Sequence, residues 1–226
     1  MSVAPGLTCG FFLLPVFVGR HYRGVGISLQ QFEQMKARVK APRGKAVPAV
    51  ESATRNTAGA VSVIIGIDPS LRGTGYGVIR SGKGQPQMLA CGTISCPAGW
   101  ERSRCLAKIS LILREVVKEH APTVCVVEGL FFAQNLKTAL IMGEARGAAM
   151  AAVAETGLAI YEISPRKVKQ AIVGYGAAQK LAVAKMVQRM LALVELPAPD
   201  AADALALALV HAQAGGRYGL NAPKRI

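Results

Sequence analysis

The feature that most constrains the fold of this chain is an apolar run, residues 61–67, that ends on a single carboxylate, Asp68. A turn rich in Pro and Gly follows, and a second apolar stretch extends to Ser81. This pattern predicts a strand, a tight turn and an antiparallel partner strand. Asp is unfavourable within strands, so Asp68 either begins the turn by binding backbone amides or has a chemical role. Both interpretations stay open on this segment alone.

The segments that follow predict an α/β domain. Residues 88–93 predict a third strand beside the first two, so the sheet starts as an antiparallel meander. The apolar run 122–128 predicts a strand buried on both faces that ends on Glu128, and residues 159–163 predict a fifth strand. The spacing of apolar residues between and after these strands predicts helices over residues 100–120, 134–156, 164–173, 177–194 and 200–212. The predicted fold is a mixed five-stranded sheet, a meander followed by parallel strands, flanked by helices.

Composition divides the chain into three parts. Residues 1–60 form an N-terminal extension with a linker rich in Ala, Gly and Pro, which is predicted to be disordered or to reflect a mis-assigned start. An additional nucleic-acid-binding arm or a targeting peptide is the alternative interpretation of this extension. Residues 61–214 are predicted to form the folded domain, and residues 215–226 a flexible basic tail.

Charge restricts the class of partner. The formal net charge is +14 and the sequence pI is about 10.0, an excess of Lys and Arg that points to a polyanionic partner. Binding to a ribosome or to a membrane surface would give the same balance, so charge alone does not name an activity.

The cysteines and the first apolar segment argue against several classes. Five scattered cysteines without a Cys-x-x-Cys spacing predict neither a zinc site nor a disulfide framework, and they suit a reducing cytoplasm. The apolar run 11–18 is interrupted by Pro15 and is too short to span a bilayer. No basic residue precedes it, as a signal peptide would require. We therefore expect a cytoplasmic protein without a membrane partner.

Four of the thirteen acids lie where a predicted strand ends or a predicted helix begins. Asp68 and Glu128 close strands, while Asp200 and Asp203 lie three residues apart and so share a helix face. Helix capping by Asp200 and a favourable dipole interaction of Asp203 would explain that second pair by themselves. The alternative is that all four acids converge, because sites in open α/β sheets form at the carboxyl ends of strands.

Converging carboxylates would need cations. Two like charges 4 Å apart repel by about 4 kcal/mol at an effective dielectric constant of about 20. Oxygen ligands without His or Cys favour Mg²⁺ or Mn²⁺ over zinc, and two such ions roughly 3.5 to 4 Å apart suit in-line phosphoryl transfer. A basic protein with this site is predicted to be a nuclease that uses two Mg²⁺ ions, for which Mn²⁺ can substitute.

Five motifs occur in order at residues 65–77, 127–131, 143–147, 168–170 with 173–176, and 200–206. Together they resemble the ordered motifs of the RuvC family of bacterial Holliday-junction resolvases. The resemblance covers residues 61–213 and implies an RNase H-like fold. It also implies a homodimer that nicks two strands of a four-way DNA junction symmetrically with Mg²⁺, in recombination and repair. The family's metal-binding catalytic acids then correspond to Asp68, Glu128, Asp200 and Asp203.

The same resemblance implies roles for three further residues. Lys169 matches a catalytic lysine beside the scissile phosphate, Lys180 a second DNA-contacting lysine, and Phe131 an aromatic that stacks on unpaired bases at the crossover. Without the resemblance, a packed core side chain and two solvated lysines would be the simpler interpretation. Three arginines are further candidates for phosphate contacts: Arg72, Arg146 and Arg166.

The family also implies cooperation with the branch-migration proteins RuvA and RuvB, and a dimer contact on the Gly/Ala-rich helix near residues 143–152. Two features depart from the family pattern: Ser70-Leu71 stands where some members have Gly-Ser, and residues 1–60 lie outside it. Two alternative functions remain. One is an RNase H-like nuclease of the YqgF type acting on structured RNA, and the other is a junction-binding protein without turnover.

Overall fold

A computed structural model describes residues 61–129, 135–214 and 224–226, together with Gln30 and Glu33. The chain divides into two units, Met1–Ala53 and Thr54–Ile226. Within the first unit the described residues Gln30 and Glu33 are helical, and the other predictions for residues 1–60 fall outside the described part. Among the described residues, no helix is both long enough and apolar enough to cross a membrane.

The strand bounds are β1 Ser62–Asp68, β2 Gly73–Ser81, β3 Gln87–Ser95, β4 Val124–Glu128, β5 Ala159–Ile163 and β6 Lys224–Arg225. These strands form one mixed sheet in the order β3-β2-β1-β4-β5-β6. β1 pairs antiparallel with β2, and β2 with β3, whereas β1 pairs parallel with β4 and β4 with β5. This arrangement confirms the predicted α/β class and the meander followed by parallel strands.

The five predicted strands are all present, and the described residues add a sixth that the sequence pattern did not predict. Lys224–Arg225, within the predicted flexible tail, pair antiparallel with Tyr161 and Glu162 of β5. Two basic residues carry no apolar alternation, so sequence pattern cannot reveal such a strand. The open edge of β5 supplies the backbone partners that order it.

Helices cover both faces of the sheet. Asn135 caps the second helix by accepting a hydrogen bond from the Thr138 amide at 2.8 Å, and Pro165 is the first residue of the third, as predicted. Ser164 precedes that helix but makes no capping hydrogen bond with its side chain. The helix bounds are α1 Arg102–His120, α2 Leu136–Ala154, α3 Pro165–Val173, α4 Lys180–Met190 and α5 Pro199–Ala214.

The core consists of two apolar clusters, one on each face of the sheet. Ile65 and Ile67 point to one face, where they pack with residues of α1 and α2, including Leu113. Ile64 points to the opposite face and packs with residues of α4 and α5, including Leu205, because successive side chains of a strand alternate. Burying each such side chain stabilises the fold by roughly 1.5 to 3 kcal/mol, so β1 is the central strand of both clusters.

Candidate active site

The parallel pairing of β1 with β4 brings two predicted site acids to one edge of the sheet. Ile67 lies opposite Val127 in this pairing, and Asp68 and Glu128 are the next residues of their strands. Both acids are partly buried, and their carboxyl groups share a hydrogen bond. Two residues that are 60 positions apart in the chain therefore form one carboxyl pair.

The first turn of α5 reaches this pair because glycines line the strands beneath the helix. A Cβ atom placed on Gly66 would collide with the backbone carbonyl of Ala204, and one on Gly75 with that of Asp200. A Cβ on Gly77 would lie 2.7 Å from the Leu205 side chain. Real Cβ atoms do not approach other atoms this closely, so only Gly lets α5 lie directly on β1 and β2.

This close packing places Asp200 and Asp203 beside the carboxyl pair. Lys180, the first residue of α4, neutralises part of their charge. Its Nζ lies 3.0 Å from Asp203 Oδ2 and 3.7 Å from Asp200 Oδ1. Burial works to lower the pKa of Lys180, but its hydrogen bond to Asp203 and the surrounding carboxylates raise it overall. Lys180 therefore stays charged as the counter-ion of the site.

The pKa shifts of Asp68 and Glu128 indicate which of the two acids carries the shared proton. Burial, followed by the charge of Asp68 and the hydrogen bond to it, raises the pKa of Glu128 from 4.5 to about 9. Burial also raises the pKa of Asp68, although the hydrogen bond with Glu128 opposes that rise. Glu128 therefore keeps its proton at neutral pH and donates it to the Asp68 carboxylate, as expected for two close acids in a poorly solvated place.

The donor set fits a hard divalent cation in its chemistry. It consists of carboxylate oxygens, the ligands that Mg²⁺ and Mn²⁺ prefer. Burial and the charge of Asp68 raise the pKa of Glu128, and a bound cation would favour its ionised form. In the described residues, however, no group of three or more His, Cys, Asp or Glu side chains is already arranged to hold a metal ion. The proton of Glu128 and the ammonium group of Lys180 provide the compensating charge in this arrangement.

The other predicted site residues lie in different surroundings. Lys169 is a half-buried residue of α3, and within the described ranges no ion pair joins it to the four acids. Phe131 lies outside the described residues.

Two of the three candidate arginines contact loops or turns of the protein. Arg72 binds the loop between β3 and α1, donating to the carbonyls of Pro97 and Trp100 at 2.5 and 3.1 Å. Arg166 packs against the turn at Gly176.

Arg146 points into the protein and not towards solvent. Its guanidinium group pairs with the Glu162 carboxylate and donates to the backbone carbonyl of Glu128 at 3.3 Å. Sequence reasoning named Arg146 only as a phosphate contact and missed this connection to a site acid. The alternate glycines at positions 73, 75 and 77 were a visible signal of close helix packing that was also missed.

Comparisons with known proteins bear on this site. The family model for "Crossover junction endodeoxyribonuclease RuvC" matches residues 64–211. The chain belongs to the RuvC family. The matched region holds all four acids of the site, both lysines and the glycines under α5, and the match confirms the family named from the sequence motifs.

Individual RuvC proteins are similar over the same region. The RuvC of Moorella thermoacetica is 46% identical over 151 residues, which is 66% of this chain and 90% of the relative. The RuvC of Acinetobacter baylyi is 46% identical over 154 residues, 68% of this chain and 84% of the relative. A solved structure described as T. thermophilus RuvC in complex with Holliday junction substrate is 33% identical, with a TM-score of 0.66, and covers 73% of this chain and 99% of its own.

Proposed function

We propose that this protein is a metal-dependent endonuclease that resolves four-way DNA (Holliday) junctions in recombination and repair. It belongs to a family of crossover junction endodeoxyribonucleases, and the similar T. thermophilus protein is described in complex with a Holliday junction. The observation that carries the proposal is the hydrogen-bonded Asp68–Glu128 pair, with Asp200 and Asp203 beside it at one sheet edge. The net charge of +14 suits a DNA substrate.

In this proposal, the residues at this edge of the sheet have separate roles. Asp68 and Glu128, with Asp203 and Asp200, would hold Mg²⁺ or Mn²⁺ through carboxylate oxygens. When bound, the ions supply Lewis-acid activation of a water molecule and charge stabilisation at the leaving oxygen. Lys180 neutralises Asp203 at 3.0 Å and keeps the acid cluster from repelling the DNA backbone. Lys169 would approach the scissile phosphate, and Phe131 would stack on an unpaired base at the crossover.

Cleavage of a synthetic four-way junction by purified full-length protein tests the proposal. With Mg²⁺, wild type should nick two strands at paired positions, and Asp68→Asn should lower the rate at least about 1,000-fold, roughly 4 kcal/mol of transition-state stabilisation. Junction binding should persist in this variant. Glu195→Gln changes an exposed acid that is none of the four site acids; it is the matched control and should cut normally. Junctions left intact by wild type with both Mg²⁺ and Mn²⁺ would contradict the proposal.

Metal binding can be measured without cleavage. A cation that binds only the folded state raises stability by about 1.4 kcal/mol at ten times its Kd, so added Mg²⁺ should raise the Tm of wild type. Asp68→Asn should lose most of this increase, because one ligand of the carboxyl pair is gone. An equal Mg²⁺-induced shift in both proteins would place the cation elsewhere.

The RNA alternative is decided in the same assay. An enzyme of the YqgF type should cleave a structured RNA at least as fast as the DNA junction, whereas the present proposal expects the junction to be the better substrate. A junction-binding protein without turnover would bind the DNA and leave it uncut.

We also propose a homodimer, since two symmetric nicks require two sites. The exposed face of α2 supports this, because Leu136 and Leu140 are 76% and 57% exposed. Gly143 and Gly147 continue the same face, and the space around their missing side chains is open. These residues follow the i, i+4, i+7, i+11 spacing of a helix-packing face.

Two further proposals follow from family membership. We expect the protein to act with the branch-migration proteins RuvA and RuvB, as the family resemblance implies. We also expect it to work in the cytoplasm. Co-purification of tagged protein with RuvA and RuvB in the presence of junction DNA would test the first. Cell fractionation would test the second.

A further inference from the structure

Arg146 of α2 is committed to contacts inside the protein. Its side chain is only 14% exposed and pairs with the Glu162 carboxylate of β5. Its Nε donates to the backbone carbonyl of Glu128 at 3.3 Å, and its Nη1 lies 2.9 Å from the Met150 sulfur. All three nitrogens of the guanidinium group therefore have partners on β4, β5 or α2. Little of the group is left to meet a DNA phosphate.

The partner of Arg146 lies against the residue that follows Glu128. The Gly129 amide donates to the Ile163 carbonyl at 2.9 Å, which extends the pairing of β4 with β5 by one residue. A Cβ atom on Gly129 would lie 3.1 Å from Glu162 Cγ and 3.4 Å from Glu162 Oε1. The backbone at Glu128–Gly129 is thus bound by Arg146 and by β5, and the Glu162 side chain lies close beside it.

We propose that Arg146, acting with Glu162, is a positioning residue that holds the backbone at the end of β4 and thereby places the Glu128 carboxyl group in the active site. This inference rests on the proposed function, because it assumes that Glu128 takes part in the chemistry. A misplacement of about 1 Å at a reacting group can cost about 100-fold in rate. The planar fork of Arg reaches a carboxylate and a carbonyl at once, which the single ammonium group of Lys does not reproduce.

Two conservative variants test the inference in the full-length protein. Arg146→Lys keeps a positive charge for Glu162 but removes the planar guanidinium group that also reaches the Glu128 carbonyl. Glu162→Gln keeps the size of that side chain but removes its negative charge. Arg114→Gln is the matched control, since Arg114 of α1 makes a two-contact ion pair at 2.7 and 2.8 Å with Glu155, the residue that follows α2, and neither residue is one of the site acids. Circular dichroism and thermal melting establish that each variant is folded.

Hydrogen exchange at the Gly129 amide is the first measurement, because it does not depend on activity. Loss of the Arg146 and Glu162 contacts at the end of β4 should speed exchange at this amide about tenfold or more in Arg146→Lys and in Glu162→Gln. Exchange should be unchanged in Arg114→Gln. Unchanged protection in both site variants would overturn the inference. This readout stands even if wild type cleaves no junction, an outcome that would instead count against the proposed function.

Single-turnover cleavage of the four-way junction is the second measurement. At saturating protein, Arg146→Lys and Glu162→Gln should cut about 10 to 100 times more slowly than wild type. Their Kd for the junction, measured without divalent metal, should stay within about twofold of wild type, and Arg114→Gln should match wild type in both. Wild-type rates in the two site variants would overturn the inference. A rise in Kd that accounts for the whole loss would also overturn it, since it would identify Arg146 as a phosphate contact.

Discussion

At the scale of the residue, the central property of this protein is a proton shared by two acids. Glu128 donates to Asp68, and its pKa of about 9 follows from burial and from the negative charge of its neighbour. Lys180 stays charged because its pKa is raised, and its ammonium group, 3.0 Å from Asp203, reduces the repulsion between the acids. The site is therefore costly to ionise fully in the absence of metal, and divalent cations would relieve that cost.

The pH dependence of stability tests this assignment. Glu128 holds its proton more tightly in the folded chain than in the unfolded chain, so the metal-free protein should lose stability as pH rises from 4.5 to about 9. The loss is at most about 1.4 kcal/mol per pH unit. Gln keeps a donor for Asp68 and does not titrate, so Glu128→Gln should reduce the slope and be more stable than wild type at pH 8.

Urea denaturation in EDTA at pH 5.5, 7 and 8.5 measures this effect. The matched control is Glu115→Gln on the exposed side of α1, which should follow the wild-type slope. A slope that is identical in wild type and Glu128→Gln would show that Glu128 does not carry the shared proton.

At the scale of the element, the position of α5 decides whether the acids meet. The helix lies on β1 and β2 so closely that its backbone occupies the space of the missing side chains at Gly66 and Gly75. The second face that matters is that of α2, where Leu136, Leu140, Gly143 and Gly147 are turned away from the core. The face of α5 on the sheet thus builds the site, and the face of α2 is exposed.

Gly75→Ala tests the packing of α5. The added methyl group would meet the backbone carbonyl of Asp200, so the helix must move away from the sheet. We expect a loss of about 1 to 3 kcal/mol of unfolding free energy and a loss of junction cleavage, because Asp200 and Asp203 move with the helix. Gly99→Ala is the control, since nothing lies within 4 Å of its added Cβ. Wild-type stability and cleavage in Gly75→Ala would refute this account.

Leu140→Arg tests the proposed dimer face. A charged side chain at the centre of an apolar contact leaves a buried charge unpaired, so this variant should shift towards monomer in sedimentation or light scattering. The control is Leu111→Arg on α1, because Leu111 is exposed to a similar degree, 55% against 57%. If Leu140→Arg has the same mass in solution as wild type, the two copies associate through another surface or not at all.

At the scale of the whole molecule, positive charge extends over the residues that precede the first described strand. Residues 1–60 carry eight Lys or Arg and two acids, which is +6 of the total +14. The family match begins at residue 64, and the first strand begins at Ser62. The elements that build the site therefore lie outside the basic N-terminal region.

A variant that starts at Val61 separates the two contributions. It should retain the Tm of the domain and cut the junction at a similar single-turnover rate. Its affinity for non-specific duplex DNA should fall, and its binding should depend less steeply on salt, since fewer phosphates are neutralised. Loss of cleavage in a folded variant would show instead that residues 1–60 contribute to the active complex.

Local patterns were sufficient for much of this molecule. The apolar runs before Asp68 and Glu128 predicted two strands with acids at their carboxyl ends, and the helical periodicities predicted the helices described between residues 102 and 214 within a few residues. The order of the five motifs identified the family. These features depend on neighbours in sequence, because alternation and helical spacing are properties of a single segment.

Contacts between distant segments could be found only in the folded chain. No local pattern shows that Glu128 is protonated, that Lys180 pairs with Asp203, or that Arg146 holds the backbone of Glu128, since each depends on packing across different elements. The strand at Lys224–Arg225 exists because β5 offers an open edge. Asp68 was predictable as a strand-ending acid, but its hydrogen bond to Glu128 requires the parallel pairing of β1 with β4. The acids of α5 lie beside it only because glycines in β1 and β2 leave room for the helix.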